Sequence, residues 1–302
     1  MTSTKAGAAW LSVVSNCVLI LLKVVAGVLT GSIAILTEAV HSAIDLLASL
    51  IALVSVRKAE EPADADHPYG HEKAENVAAG AEAMLIIVGA VIIVVEAVRR
   101  LVNGSEVESI GIGIAIIAAT IIANLVVSGY LYRQARLLES PALEGDAALQ
   151  RADALTSMAV LVGLVLVEVT GEASFDSIAA LVVAVAIVAT GVRLARRSGR
   201  VLMDEVLPEH EMDRIEEVIA RSRPPEMAGY HKLRGRRAGS RRHIDLHLQF
   251  RAGTSLEDAH REAHKLRDAI EGQFSNADVL IHVEPEESYR SPREAPGPFR
   301  QG

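Results

Sequence analysis

The sequence predicts an α-helical membrane domain followed by a smaller soluble α+β domain, and three observations predict it. Half of the 302 residues are hydrophobic, and their Ala, Val, Ile and Leu runs crowd into the first two-thirds of the chain. The last hundred residues hold most of the charge. Within that last part, helical spacing and strict alternation of apolar residues follow one another, the pattern of helices layered on a small sheet. The expected divisions are a six-helix domain over 1–207, an α+β domain over 208–285, and a Pro-, Gly- and charge-rich tail over 286–302 that reads as disordered.

A helix needs roughly 20 apolar residues to cross about 30 Å of hydrocarbon. Six stretches qualify, at about 8–30, 33–57, 78–101, 110–132, 147–170 and 175–195. The opening MTSTKAGAAW lacks the charged region and small-residue cleavage site of a signal peptide, so the first stretch is expected to remain as a span. The connections LTGS and VTGEAS carry no Lys or Arg. Arg57 and Lys58, Arg133 and Arg136, and Arg193, Arg196, Arg197 and Arg200 close the second, fourth and sixth spans. That bias places both termini in the cytoplasm of a multi-pass protein of the inner (plasma) membrane, with Arg99 and Arg100 as the dissenting pair.

Beyond residue 208, PEHEMDRIEEVIARS spaces Met212, Ile215, Val218 and Ile219 helically behind a Pro and several acids. YHKLRGRRAGSRRHIDLHLQF reads as two strands around an Ala-Gly-Ser turn, with Ile244, Leu246, Leu248 and Phe250 alternating with His243, Asp245, His247 and Gln249. SLEDAHREAHKLRDAIEGQF is an amphipathic helix opened by Ser255, and ADVLIHVEPE is a last strand. The order is αββαβ.

A formal net charge of −8 gives no general case for nucleic-acid binding. A single cysteine, Cys17, excludes an intrachain disulfide and a Cys-based zinc cluster. The informative residues are the ionisable ones inside apolar stretches, where each costs a few kcal/mol. His41 and Asp45 stand at i and i+4 on one face of the second span. Imidazole plus carboxylate is half of a divalent-metal site, and Asp153 in the fifth span offers a further carboxylate, with Asp146 nearer its cytoplasmic end. The plainer reading is that His41 and Asp45 pair with each other or with Asn16 and Asn124 as helix–helix glue. Glu82, Glu96 and Glu168 lie near span ends and read as interfacial. In the loop EEPADADHPYGHEKAEN, Asp64, His67 and His71 form a second candidate cluster, a solvated acidic loop being the competing reading. The soluble domain holds seven of the ten histidines, and six of them, His231, His243, His247, His260, His264 and His282, stand with Glu284 as a third set suited to zinc.

Taken together, GSIAILTEAVHSAIDLLAS, DHPYGHEKAEN, RADALTS, LMDEVLP and HKLRGRRAGSRRHIDLHL…AH…VLIHVEPE, in that order, resemble the cation diffusion facilitator family over about residues 8–285. The resemblance implies a homodimer of six-helix units with cytoplasmic ferredoxin-like domains. It implies no enzyme, but a proton-coupled exporter of a divalent metal, Zn2+ first and Fe2+, Mn2+, Co2+ or Cd2+ after it. It assigns transport to His41, Asp45 and Asp153, a loop site to Asp64, His67 and His71, and a cytoplasmic metal pair to His231, His247, His260, His282 and Glu284. Lys73 and Asp204 match charged positions that interlock protomers near the membrane. One position departs: Leu149 stands where the family carries a histidine four residues before the span-5 Asp. A water, a backbone carbonyl, Gln150 or Asp146 would then complete the site, and fewer nitrogen ligands admit harder ions. Leu149 also motivates a different class of function, a metal sensor or partner-stabilising scaffold with little transport. A membrane metallohydrolase lacks its signature motifs.

Overall fold

The computed structural model describes residues 4–30, 33–103, 111–170, 174–274 and 276–286. The disordered-tail expectation over 286–302 falls, past Glu286, on 287–302, and half of each of the connections LTGS and VTGEAS falls on 31–32 and 171–173, all outside the described residues. The chain divides into two compact units, Met1–Arg200 and Val201–Gly302.

The first unit is built of long helices: α1 (Lys5–Thr30), α2 (Ile33–Ala59), α3 (Lys73–Asn103), α4 (Gly111–Leu137), α5 (Pro141–Thr170) and α6 (Ser174–Leu202). Small side chains seam them together. Ala8, Ala9 and Val13 of α1 meet Leu53 of α2, Leu131 and Ala135 of α4, and Leu143 and Ala147 of α5. A second seam joins Ala79, Ala83 and Ile86 of α3 to Leu149 and Ala152 of α5 and Ile187 of α6. Alanine at a contact lets backbones approach closely, the packing device of helices that have lipid rather than water outside. The outward faces carry Leu21, Val54, Val95, Val126 and Val182, all largely exposed, an apolar belt that water does not favour.

Among the described residues, Lys5–Val25, Lys73–Arg99 and Ser177–Leu202 are long and apolar enough to cross a membrane. In α2, α4 and α5 the side chains of residues 33–38, 111–117 and 167–169 lie outside the described set. Two helices begin earlier than their apolar stretches. α3 starts at Lys73 and α5 at Pro141, because hydropathy marks where lipid ends and not where helix ends. The extensions satisfy one another: Lys5 Nζ lies 2.6 Å from Glu75 Oε1, Ser140 donates to Glu75, and Ser198 donates to the Asn76 carbonyl.

Glu82, expected near a span end, is fully buried within the protein. Its carboxylate lies against Gly145, where an added Cβ would come within 1.7 Å of Glu82 Oε2 and 3.3 Å of the Ala79 Cα. The apolar stretch of α3 hides Glu82 in sequence, and only the approach of α5 buries it.

The second unit has the expected order, α7 (Glu209–Arg221), β1 (Met227–Ala238), β2 (Arg241–Phe250), α8 (Leu256–Glu271) and β3 (Ala277–Pro285). The sheet order is β1-β2-β3, with β1 and β2 antiparallel and β2 and β3 parallel, so α8 is the crossover that the parallel pair requires. Ile244, Leu246 and Leu248 point inward to meet Met212, Ile215 and Ile219 of α7 and Leu266 and Ile270 of α8. Ser255 caps α8, its Oγ accepting from the Asp258 amide at 3.1 Å. At the rim of this core, Arg242 grips Glu211 with Nε and Nη2 at 3.0 Å each, and Arg237 adds a second guanidinium.

Two expectations follow. Gly145→Ala forces the buried Glu82 and the neighbouring turn of α3 apart, and thermal unfolding reports a loss of about 1–3 kcal/mol. Glu211→Ala strands the buried Arg242 and costs roughly 3–5 kcal/mol in denaturant titration of the soluble unit's transition. Burial pushes the Glu211 carboxyl up, but the hydrogen bond from Arg242 and the charges of Arg237 and Arg242 outweigh it and hold it below the usual 4.5. The unfolded chain therefore binds the proton first on acidification. The wild-type contribution is complete above pH 4.5 and is lost below it, so the variant's deficit shrinks as pH falls through that range.

Candidate metal centres

The loop between α2 and α3 folds around Asp64. Its Oδ1 accepts the backbone amides of Asp66 at 3.0 Å and His67 at 2.6 Å, which turns the chain back on itself. The His67 amide is the main reason its carboxyl sits below the ordinary carboxylate range. Gly70, at φ +87, completes the turn with its amide 3.0 Å from the His67 carbonyl. His67 Nδ1 then stands 3.2 Å from Asp64 Oδ1, and His71 Nε2 stands 3.3 Å from Oδ2. His71 is buried, and neither of its ring nitrogens makes a hydrogen bond among the described residues. Zinc ligands about 2.0–2.1 Å from the metal stand roughly 3.3 Å apart in a tetrahedron, so these three donors fit one ion.

The soluble unit assembles a second trio on the sheet face opposite its core. His231 Nε2 lies 2.7 Å from Glu284 Oε1, and His247 Nδ1 lies 3.4 Å from Oε2. All three ligand atoms fall within 4.8 Å of one another. Burial holds the His247 imidazole below 6.5 against the opposing pull of Glu284, which favours the neutral form a metal requires.

A bulge in β1 makes this trio. His231 pairs with His247 and Arg234 with Asp245, so three steps on β1 match two on β2. The extra residue is Lys232, at φ +53. Regular alternation would put His231 and Leu233 on the same face. With the bulge, Leu233 is buried in the core while His231 stays outside beside His247.

His282, the register partner of His247, places its ring 4.6 Å from it but stands outside the trio. His260 is not brought there. It is exposed on α8 with its ring 4.3 Å from His264, the histidine of the same sequence set at i, i+4 spacing. Gln249 was passed over as a site residue. Its Nε2 lies 3.3 Å from Glu284 Oε1 and helps hold that carboxylate, as its alternation with the leucines would have suggested.

In the membrane unit, α2 carries Asp45, buried, and α5 carries Asp153, half-buried. The His41 side chain lies outside the described residues. Toward the start of α5 from Asp153, a buried polar chain ties three helices. Asn16 donates to Ser49 at 2.7 Å, Ser49 donates to Asp146 Oδ1 at 3.0 Å, and Gln150 donates to Ser12 at 2.6 Å and to Asp146 at 3.4 Å.

Residues 9–203 match the family described as the cation efflux transmembrane domain, and residues 207–286 match the cation efflux protein cytoplasmic domain. The chain belongs to the cation efflux family, the cation diffusion facilitators. It is 34% identical over 268 residues to the cation-efflux pump FieF of Serratia proteamaculans, covering 89% of this chain and 88% of the relative. The Escherichia fergusonii pump of the same name is 31% identical over 267 residues, 88% of each chain. Among solved structures, the metal-bound C-terminal domain of the CzcD transporter from Thermotoga maritima is 28% identical, covering 28% of this chain and all of that one, at a TM-score of 0.25. The chain is a membrane transporter and not an enzyme.

Against the family pattern, Leu149 is buried in the apolar seam with Ala83, Ile86 and Ile187. Gln150 and Asp146 are tied to Ser12 and Ser49 through Gln150 Nε2 and Asp146 Oδ1, while Gln150 Oε1 and Asp146 Oδ2 make no hydrogen bond among the described residues. Lys232→Val in this cation diffusion facilitator opposes the positive φ with a β-branched side chain, which straightens β1 into strict alternation with position 232 kept in register and sends His231 inward to the Leu233 face. Isothermal titration of the full chain with Zn2+ should then lose one soluble-unit site, while Lys232→Gly, which keeps the bulge and suits its positive φ, retains it.

Proposed function

We propose that the chain exports a divalent transition-metal ion from the cytoplasm in exchange for protons, with Zn2+ as the first candidate cargo. The observation that carries this reading is the buried Asp45 on α2 together with Asp153 on α5, in a domain of the cation efflux family. A carboxylate inside an apolar bundle is expensive and marks an ion pathway by default. His41, one turn from Asp45, supplies a nitrogen ligand in this reading. All six long helices span the inner membrane, and both termini face the cytoplasm.

Ligands bind metal only when deprotonated, so metal entry releases protons and proton entry releases metal. Histidine, with an ordinary pKa near 6.5, suits that exchange near neutral pH. His41, Asp45 and Asp153 form the transport site. Leu149 leaves it one nitrogen short, which moves selectivity toward harder ions such as Mn2+ and Fe2+, with Co2+ and Cd2+ also within reach.

Asp64, His67 and His71 bind a second ion in the loop. His231, His247 and Glu284 bind a third, with His282 and His260 joining when two protomers bring their soluble units together in a homodimer. Metal at these cytoplasmic sites favours the transport-ready dimer. The metal dependence is supported by donor spacings of 2.7–3.4 Å in both clusters. A sensor or scaffold with little flux is the second reading, favoured by the apolar surroundings of Leu149.

Proteoliposomes with an imposed pH gradient separate the two. Gradient-dependent uptake of Zn2+, Mn2+, Fe2+ or Co2+ that Asp45→Ala abolishes establishes exchange, and the ion ranking reads out the effect of Leu149. Absence of uptake from folded, dimeric protein puts the sensor first.

A further inference from the structure

Between α4, α5 and α6 the membrane unit has a cavity of about 480 Å³ with an uneven charge. Arg151 of α5 and Arg193 and Arg197 of α6 all line it, and Glu144 is the acid among its lining residues. Arg197 is matched to Glu144. Arg151 instead lies over the Tyr132 ring, 5.2 Å from its centroid, and Arg193 donates to the Thr190 hydroxyl at 3.3 Å. Two guanidiniums therefore line one cavity without a carboxylate partner among the described residues.

The lining is also ordered along the helices. The Glu144–Arg197 pair shows that α5 and α6 run antiparallel, so residues can be matched by level. Glu144 and Arg197 lie at the cytoplasmic mouth, Arg151, Arg193 and Thr190 one to two turns deeper, and Leu155 and Ile187 deeper still. Arg151 and Arg193 stand about 6 and 3 Å inside the ends of their apolar stretches, at the boundary between headgroups and hydrocarbon. Tyr132 sits at the same level, as an interfacial aromatic does.

We propose that this cavity seats the phosphate of an anionic phospholipid of the cytoplasmic leaflet. Guanidiniums match phosphate oxygens in forked pairs, and basic pockets between spanning helices hold such headgroups. Thr190 adds a hydroxyl donor, and the Leu155 and Ile187 end receives the start of the acyl chains. A free phosphate would use the guanidiniums but gain nothing from that apolar end, so the ordering selects a lipid. The site lies on α5, the helix that carries Asp153, and on the opposite side of Leu149 from the polar chain through Gln150. The assignment rests on the reading that α5 and α6 cross the membrane.

The test uses the full chain in phosphatidylcholine nanodiscs titrated with spin-labelled phosphatidylglycerol or spin-labelled phosphatidylcholine. Phosphatidylglycerol should associate preferentially. R151Q/R193Q should weaken it about fivefold for each guanidinium removed, roughly thirtyfold together, with phosphatidylcholine unaffected. R151K/R193K should keep most of the preference, which rules out a loss through misfolding. Equal association of both lipids with the wild type overturns the proposal, and so does an undiminished preference in R151Q/R193Q. Displacement of the lipid by equimolar glycerol 3-phosphate would overturn the lipid in favour of a soluble phosphate. Co-elution of each variant with the nanodisc reads the membrane placement separately, so a failure there is distinguishable from a failure of the headgroup site.

Discussion

A carboxylate buried among apolar helices must be met by protein, because the surroundings offer no water to replace it. The polar chain of the first unit follows that constraint at Asp146 Oδ1, whereas Asp146 Oδ2 and both oxygens of the buried Glu82 make no hydrogen bond among the described residues. Asp146 is met by Ser49 and Gln150, Ser49 by Asn16, and Gln150 by Ser12, so α1, α2 and α5 are held in one register by hydrogen bonds between small polar side chains. Close approach is what lets such short side chains reach, and the alanine seams supply it. Selectivity of packing and placement of the acids are thus the same problem. Leu149 shows the other side of it: with no polar atom to satisfy, it joins the apolar seam.

The soluble unit solves a different problem with the same economy. Its sheet is hydrophobic on the helix-covered face and carries His243, His247, Asp278, His282 and Glu284 on the other. Parallel pairing of β2 with β3 brings His247 level with His282 and Gln249 level with Glu284. The third ligand cannot come from alternation alone, and the Lys232 bulge supplies the half-turn that puts His231 on the same face. A local backbone irregularity therefore decides whether two strands or three contribute to the cluster.

The loop cluster stands between these cases. Its spacing was readable at Asp64, His67 and His71, and the turn that gathers them follows from an Asp able to accept two successive amides and a Gly able to take a positive φ. The burial of Glu82 was not legible, because its distance from the end of an apolar stretch says nothing about which neighbour will cover it. His264 was legible beside His260, since its spacing from it repeats the His41–Asp45 relation.

By itself the sequence determined the class of the protein. Apolar length, the period of the soluble elements, the shift in charge near residue 208 and the histidine–carboxylate spacings within single segments are local properties, and each survives without knowing what lies beside it. Only the tertiary structure decided which of these groups meet. The burial of Glu82 against Gly145, the engagement of Gln150 by Ser12, the separation of His260 from the sheet trio and the basic cavity of Arg151 and Arg193 all join residues far apart in the chain. Helix periodicity states the face a residue lies on, and packing alone states what that face touches.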